Sequence, residues 1–149
     1  KEGVIKYEGM FPDQFGQLIE EKKGYYDVIF LYSVIQYIFK DSDIWKFLDS
    51  ALIMLNEGGY LFLGDIPNFS MKKRFLSSDE GLKFHRSYYG NDSSPDLDKI
   101  NPNSEEINDE IVLGIIRKAR SKGYHSWLIP QNKELTFSNR REDILIKKP

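Results

Sequence analysis

The chain has 149 residues, 40% of them hydrophobic, enough for one domain with a packed core. Its twenty-one Lys and Arg against twenty-three Asp and Glu leave a net charge of -2, so no overall field draws it to nucleic acid, and the lack of cysteine excludes disulfides and thiolate-bound zinc. The longest apolar runs, Val28 to Tyr32 and Ala51 to Leu55, are far too short to span a membrane, and with no leader-like start the expected setting is the cytoplasm. The opening Lys1-Glu2-Gly3 lacks a start methionine, as expected of a piece of something longer.

Val4 to Tyr7 is a short strand candidate ended by Gly9 and Pro12. Gln14 to Lys23 sets Phe15, Leu18 and Ile19 on one helical face, with Gly24 just past its end. Asp27 to Leu31 is almost wholly apolar, which predicts a strand covered on both faces. After an apolar turn over Val34 to Phe39, Asp41, Ser42 and Asp43 offer caps to a helix running to about Asn56, with Ile44, Leu48, Ala51 or Leu52, and Leu55 along its buried stripe. Gly58-Gly59 breaks that helix and Tyr60 to Leu63 forms the next strand. Strand, helix and strand in this order predict a parallel pair.

A short helix is expected over Phe69 to Leu76, followed by a long loop or irregular cover from Ser77 to Asn103. Helix resumes near Asn103, with Glu106 as its capping partner, and buries Ile107, Ile111, Ile115 and Ala119, with Leu113 and Ile116 widening the face. Tyr124 to Ile129 and Asp143 to Ile146 are the last strands, joined too closely for a parallel crossover and hence antiparallel. No internal repeat, phosphate-gripping glycine loop, zinc spacing or nucleophile elbow is present.

YDVIFLYSVIQYI at Tyr26 to Ile38, LNEGGYLFLGDI at Leu55 to Ile66 and the closing GYHSWLI and REDILIKK segments resemble the C-terminal two-thirds of a class I S-adenosylmethionine-dependent methyltransferase. The resemblance implies an α/β fold: a Rossmann-like, mostly parallel sheet with a C-terminal antiparallel hairpin, lacking its N-terminal strands and their glycine-rich donor loop. It covers residues 1 to 149 as one partial domain, with 77 to 103 as a lid or irregular insertion. Tyr7-Glu8-Gly9-Met10-Phe11 is similar to the turn that meets adenine, although Met10 stands where the family has Asp. The implied donor site is Gly9, Met10, Phe11, Leu31, Tyr32, Ser33 and Tyr37, with S-adenosylmethionine as cofactor and its methionine and ribose held by residues outside this chain.

Asp65, just beyond a strand, is placed to orient or deprotonate an acceptor hydroxyl, or else to make an Asx-turn, while Asn68 fits an N-cap. His85 suits a general base by its ordinary pKa, but a structural hydrogen bond serves equally. Ser33, Gln36 and Tyr37 either lie along the methyl donor or plug the sheet edge. Asp27, at the wrong end of its strand for a ligand, and His125, beside Trp127, read as structural. Lys72, Lys73 and Arg74, with Arg86, fit phosphates of a nucleotide-linked acceptor or a plain solvated face, and Tyr88 and Tyr89 fit a flat ring or sugar.

The resulting expectation is methyl transfer to a small-molecule acceptor, such as a sugar or nucleotide-linked compound, with this segment as the acceptor side and inactive in isolation. The rival is a non-catalytic interaction module whose unpaired sheet edge binds a partner or a second copy as a homodimer.

Overall fold

The computed structural model describes residues 3–100 and 105–149, and they form a four-stranded sheet of order β1-β2-β4-β3 with flanking helices. β1 (Tyr26–Tyr32) runs parallel to β2 (Leu55–Pro67), in register from Val28 opposite Tyr60 to Tyr32 opposite Gly64. β4 (Arg141–Lys147) is antiparallel to β2, and β3 (His125–Pro130) is antiparallel to β4. The expected parallel pair and closing antiparallel pair are both present. With one parallel pairing and two antiparallel ones, the sheet is mixed rather than mostly parallel.

Side-chain chemistry explains where the helices begin. α1 (Gly16–Glu21) buries Ile19. α3 (Ile44–Ile53) starts at Asp43, whose carboxylate accepts from the amides of Trp45 (2.8 Å) and Lys46 (3.2 Å). α4 (Phe69–Leu76) is capped by Asn68, whose Oδ1 accepts from Met71 N at 3.1 Å. α6 (Asp109–Ser121) is capped by Asn108 and carries Asp109 and Glu110 in its first turn, where the helix dipole favours them.

Val34 to Phe39 is largely helix, α2 (Ile35–Asp41), not a turn, because Ile35, Ile38 and Phe39 recur at the spacing that turns one face to the core. α5 (Asp79–Tyr89) occupies much of the stretch expected to be loop, capped by Ser78 and stopped by Gly90 in the left-handed conformation (φ 65°). α3 ends three residues earlier than expected, and β2 begins at once, with Gly58-Gly59 inside the strand beside an irregularity in its pairing with β1. The cap of α6 is Asn108; Asn103, the expected start, lies outside the described residues. Val112 is buried on this helix, whereas Leu113 is 53% exposed.

The core lies on one side of the sheet. Leu61, Leu63, Ile144 and Ile146 present one face to Leu48 and Leu52 of α3 and to Val112 and Ile115 of α6, all essentially buried. Alternation along each strand sends the other side chains to the opposite face. There Val28 is 59% exposed and Phe30 66%, so β1 is not covered on both sides as its apolar run had suggested. Helices cover only the other face, and rings pack within the sheet surface instead: Phe30 stacks on Phe62 (centroids 5.3 Å apart) and on Tyr32 (6.2 Å). Gly64 makes this possible, since a Cβ there would lie 2.5 Å from the Phe62 ring and 2.6 Å from that of Tyr32. Val4 to Tyr7 is not a strand; it joins no sheet among the described residues, and Val4 and Ile5 are each 75% exposed.

Candidate functional site

The parallel pairing of β1 and β2 delivers Ser33 and Asp65 to a common rim near the carboxyl ends of the strands, where open α/β sheets bind ligands; Asp65 lies not beyond its strand, the expected position, but within β2, which runs on to Pro67 because it continues to pair with β4. Ser33 Oγ donates to Asp65 Oδ2. Both residues are in the left-handed conformation, φ 56° for Ser33 and 60° for Asp65, which costs a non-glycine residue about 1–2 kcal/mol. Such a conformation persists only where surrounding bonds enforce it. Here they do: Ser33 N donates to Gly64 O (3.1 Å) and Gln36 Nε2 to Ser33 O (2.9 Å).

Asp65 is held from every side. Its amide donates to Asp143 Oδ1 (2.8 Å), its carbonyl accepts from Arg141 Nη1 (3.2 Å), and the same guanidinium nitrogen lies 2.6 Å from Oδ2. Gln131 Nε2 donates to Asp143 Oδ1 at 2.9 Å and reaches Asp65 Oδ1 only at 3.4 Å. Thus Oδ2 is fully engaged by Ser33 and Arg141, while Oδ1 retains capacity for another donor. Asp65 and Arg141 are 15% and 25% exposed, so the pair is sheltered but reachable. The buried Oε1 atoms of Gln36 and Gln131 have no partner among the described residues, which makes this rim polar with acceptors to spare.

Five of the seven residues marked for the donor, Gly9, Met10, Phe11, Leu31 and Tyr37, line one cleft of about 400 Å³, with Asp41 and Ser42 as its polar groups. Phe11 is fixed there by an edge-on contact with Phe47 at 5.3 Å. The other two lie apart from it: Ser33 faces Asp65, and Tyr32 belongs to the open sheet face. The lining is otherwise largely apolar, and it offers no cation for the carboxylate of a methionine moiety, so this cleft does not fit that end of S-adenosylmethionine.

His85 is on α5, not in a loop; its Nε2 is 3.2 Å from Ser93 Oγ and its ring packs against Tyr89 at 4.6 Å. It lines a cleft with Tyr88 and Tyr89, and no hydrogen bond joins it to Asp65 among the described residues. Asp27 takes a hydrogen bond from Asn56 Nδ2 at the amino end of β1, and His125 packs on Trp127 at 6.0 Å. Of the four basic residues marked in sequence, Lys72 lines two clefts, whereas Arg74 is bound to Asp109, which raises the pKa of Arg74 and lowers that of the carboxyl. Arg140, Arg141 and Gln131 were missed. Nothing local signalled them, because β4 is inserted beside β2 only by the tertiary fold.

No family model and no curated protein matches the sequence. Among solved structures, the chain is similar to a crystal structure from Thermotoga maritima described as a SAM-dependent methyltransferase, possible histamine N-methyltransferase. The TM-score is 0.43 and the identity 16%, over 86% of this chain and 58% of that one. The likeness is a weak and partial one to a SAM-dependent methyltransferase fold.

Proposed function

We propose that this segment forms the acceptor side of an S-adenosylmethionine-dependent methyltransferase acting on a small molecule. The observation that carries the reading is the rim itself: where the parallel pairing of β1 and β2 stops, Ser33 and Asp65 are hydrogen-bonded, both in the left-handed conformation, beside a largely apolar cleft. Met10, Phe11, Leu31 and Tyr37 would enclose the adenine, with Asp41 as a polar contact. The bound cofactor would supply an electrophilic methyl group. Ser33 and Arg141 fix the carboxylate of Asp65, and its freer Oδ1 orients the O–H or N–H of the acceptor and receives its proton. His85, set back in its own cleft, contacts the body of the acceptor. The methionine and ribose ends of the cofactor need residues beyond those described.

Titration of the chain with S-adenosylhomocysteine, followed by amide chemical shifts, tests this. Weak binding in the millimolar range that perturbs Gly9 to Phe11, Leu31 and Tyr37 is expected. Perturbation elsewhere, or none, sinks the proposal. Tight calorimetric binding would overturn the narrower expectation that the segment alone is inactive.

The bare aromatic face and the unpaired edge of β1 favour a second reading, an interaction module that pairs with another copy of this chain through β1. Light scattering coupled to size-exclusion chromatography decides it: a monomer at high concentration removes this reading.

A further inference from the structure

Two clefts open on either side of Lys72 and Arg140. The smaller, about 200 Å³, runs from these residues to Arg141, the partner of Asp65. The larger, about 450 Å³, lies between α4, α5 and the 3-10 turn Ser138–Arg140, with Phe84, Tyr88 and Tyr89 on its wall. Lys72, Phe137 and Arg140 line both, so the rim and the aromatic cleft share one cationic doorway.

That doorway is built from rings and unneutralised charge. The Arg140 guanidinium lies 4.6 Å from the Phe137 ring centroid and 5.2 Å from that of Phe84, and its Nε donates to Asn139 Oδ1 at 3.1 Å. The Lys72 ammonium lies 5.0 Å from the Phe69 ring. Among the described residues, neither cation is ion-paired with a carboxylate. Burial pushes the pKa of each below its usual value, and the charge of Arg140 lowers that of Lys72 further, against a smaller pull from Glu106. Of the other charges nearby, Arg74 is paired with Asp109, Asp96 and Lys99 on the wall of the larger cleft pair with each other at 3.0 Å, and Arg141 adds to the positive charge beside Arg140. Two half-buried cations side by side are unfavourable alone, and an oxyanion between them offsets the repulsion. Beyond them Phe84 stacks on Tyr88 (5.9 Å), and Tyr88 meets Tyr89 edge-on (5.1 Å), leaving both tyrosine rings largely exposed.

We infer that the double cleft binds a compound carrying a flat ring and an oxyanion, the anion between Lys72 and Arg140 and the ring against Tyr88 and Phe84. Its place beside Arg141 and Asp65 makes that compound the acceptor, a step that rests on the methyl-transfer reading of the rim. Carboxylate and phosphate share the recognising chemistry, since both accept hydrogen bonds from a guanidinium and an ammonium.

Titration of the whole chain with 4-hydroxybenzoate and with phenyl phosphate, read by amide chemical shifts, tests the cleft without any cofactor. Saturable shifts confined to 72, 84–89 and 137–140 are expected, and the tighter of the two ligands identifies the oxyanion. Uncharged 4-hydroxybenzamide and saturated cyclohexanecarboxylate should each bind at least about tenfold more weakly, as should 4-hydroxybenzoate to Lys72→Gln or Arg140→Gln, while Arg86→Gln leaves affinity unchanged. Equal affinity for the benzoate and the benzamide would overturn the inference on the unmodified protein, whatever the variants do. Aryl-anion binding, with no shift of Gly9 to Phe11, Leu31 or Tyr37 on addition of S-adenosylhomocysteine, would leave the cleft and remove the methyltransferase reading. Shifts at those residues together with equal affinity for the benzoate and the benzamide would do the opposite.

Discussion

The two faces of this sheet are made from similar residues and have opposite fates. Leu61, Leu63, Ile144 and Ile146 are sealed beneath α3 and α6, whereas Val28, Phe30, Tyr32 and Trp127, one residue out of phase along the neighbouring strands, stand open to solvent. Apolar character alone therefore does not define a core. What defines it is an amphipathic helix able to cover the strand, and α3 and α6 both turn their stripes to the same side. The rim between the faces follows a third rule, in which polar contacts hold two backbone conformations that would otherwise be strained.

The largest expected effect lies on the sealed face. Leu63→Ala removes buried methyl groups from a site with no solvent to refill it, and should cost about 2–5 kcal/mol in chemical denaturation. A loss below about 1 kcal/mol would show that the sealed face is loosely packed and that the contrast between the faces is only apparent.

Next comes the rim. Asp65→Ala leaves Arg141 facing a sheltered space without its carboxylate, frees Ser33, and retains a left-handed backbone with less to enforce it. Because Arg141 keeps some access to solvent, the expected loss is about 1–3 kcal/mol, below that of a fully buried pair. Asp65→Asn should restore part of that stability. If Asp65→Ala is neutral in denaturation, the brace is irrelevant to folding.

How much of this could be read in advance depends on the range of the forces involved. The parallel pair, the capped helix at Phe69 and the antiparallel ending were legible because periodicity, Asn68 and short connections are local signals. The meeting of Ser33 with Asp65 followed from that topology alone. Arg141, Asp143 and Gln131 converge on Asp65 from 66 to 78 residues away in the chain, and no pattern within one element announces such a meeting. The Val28 to Leu31 run misled for a related reason: strand composition records apolarity, not which side a distant helix will cover.

A smaller effect is expected where α4 meets α6. Arg74 and Asn68 hold the Asp109 carboxyl below its ordinary pKa. A depressed folded-state pKa contributes stability that is present above the unfolded value, about 3.9, and lost as pH falls through the folded one. The gap in melting temperature between the native chain and Asp109→Asn should thus be constant from neutral pH to about 5, then close toward pH 3. The underlying difference in stability is about 0.5–1 kcal/mol, since the pair is largely solvent-exposed.

The smallest effect should come from the open face. Phe30→Ser deletes a ring that is 66% exposed and touches mainly Phe62 and Tyr32, so the monomer should change by no more than about 0.5 kcal/mol, despite the loss of a phenyl group. Denaturation repeated across protein concentrations turns this into a test of the comparison itself. A concentration-independent, near-zero effect means the face is open in solution, as the structure has it. A loss approaching that of Leu63→Ala, growing with concentration, means that another copy covers the ring, and the two faces would then differ only in which chain supplies their cover.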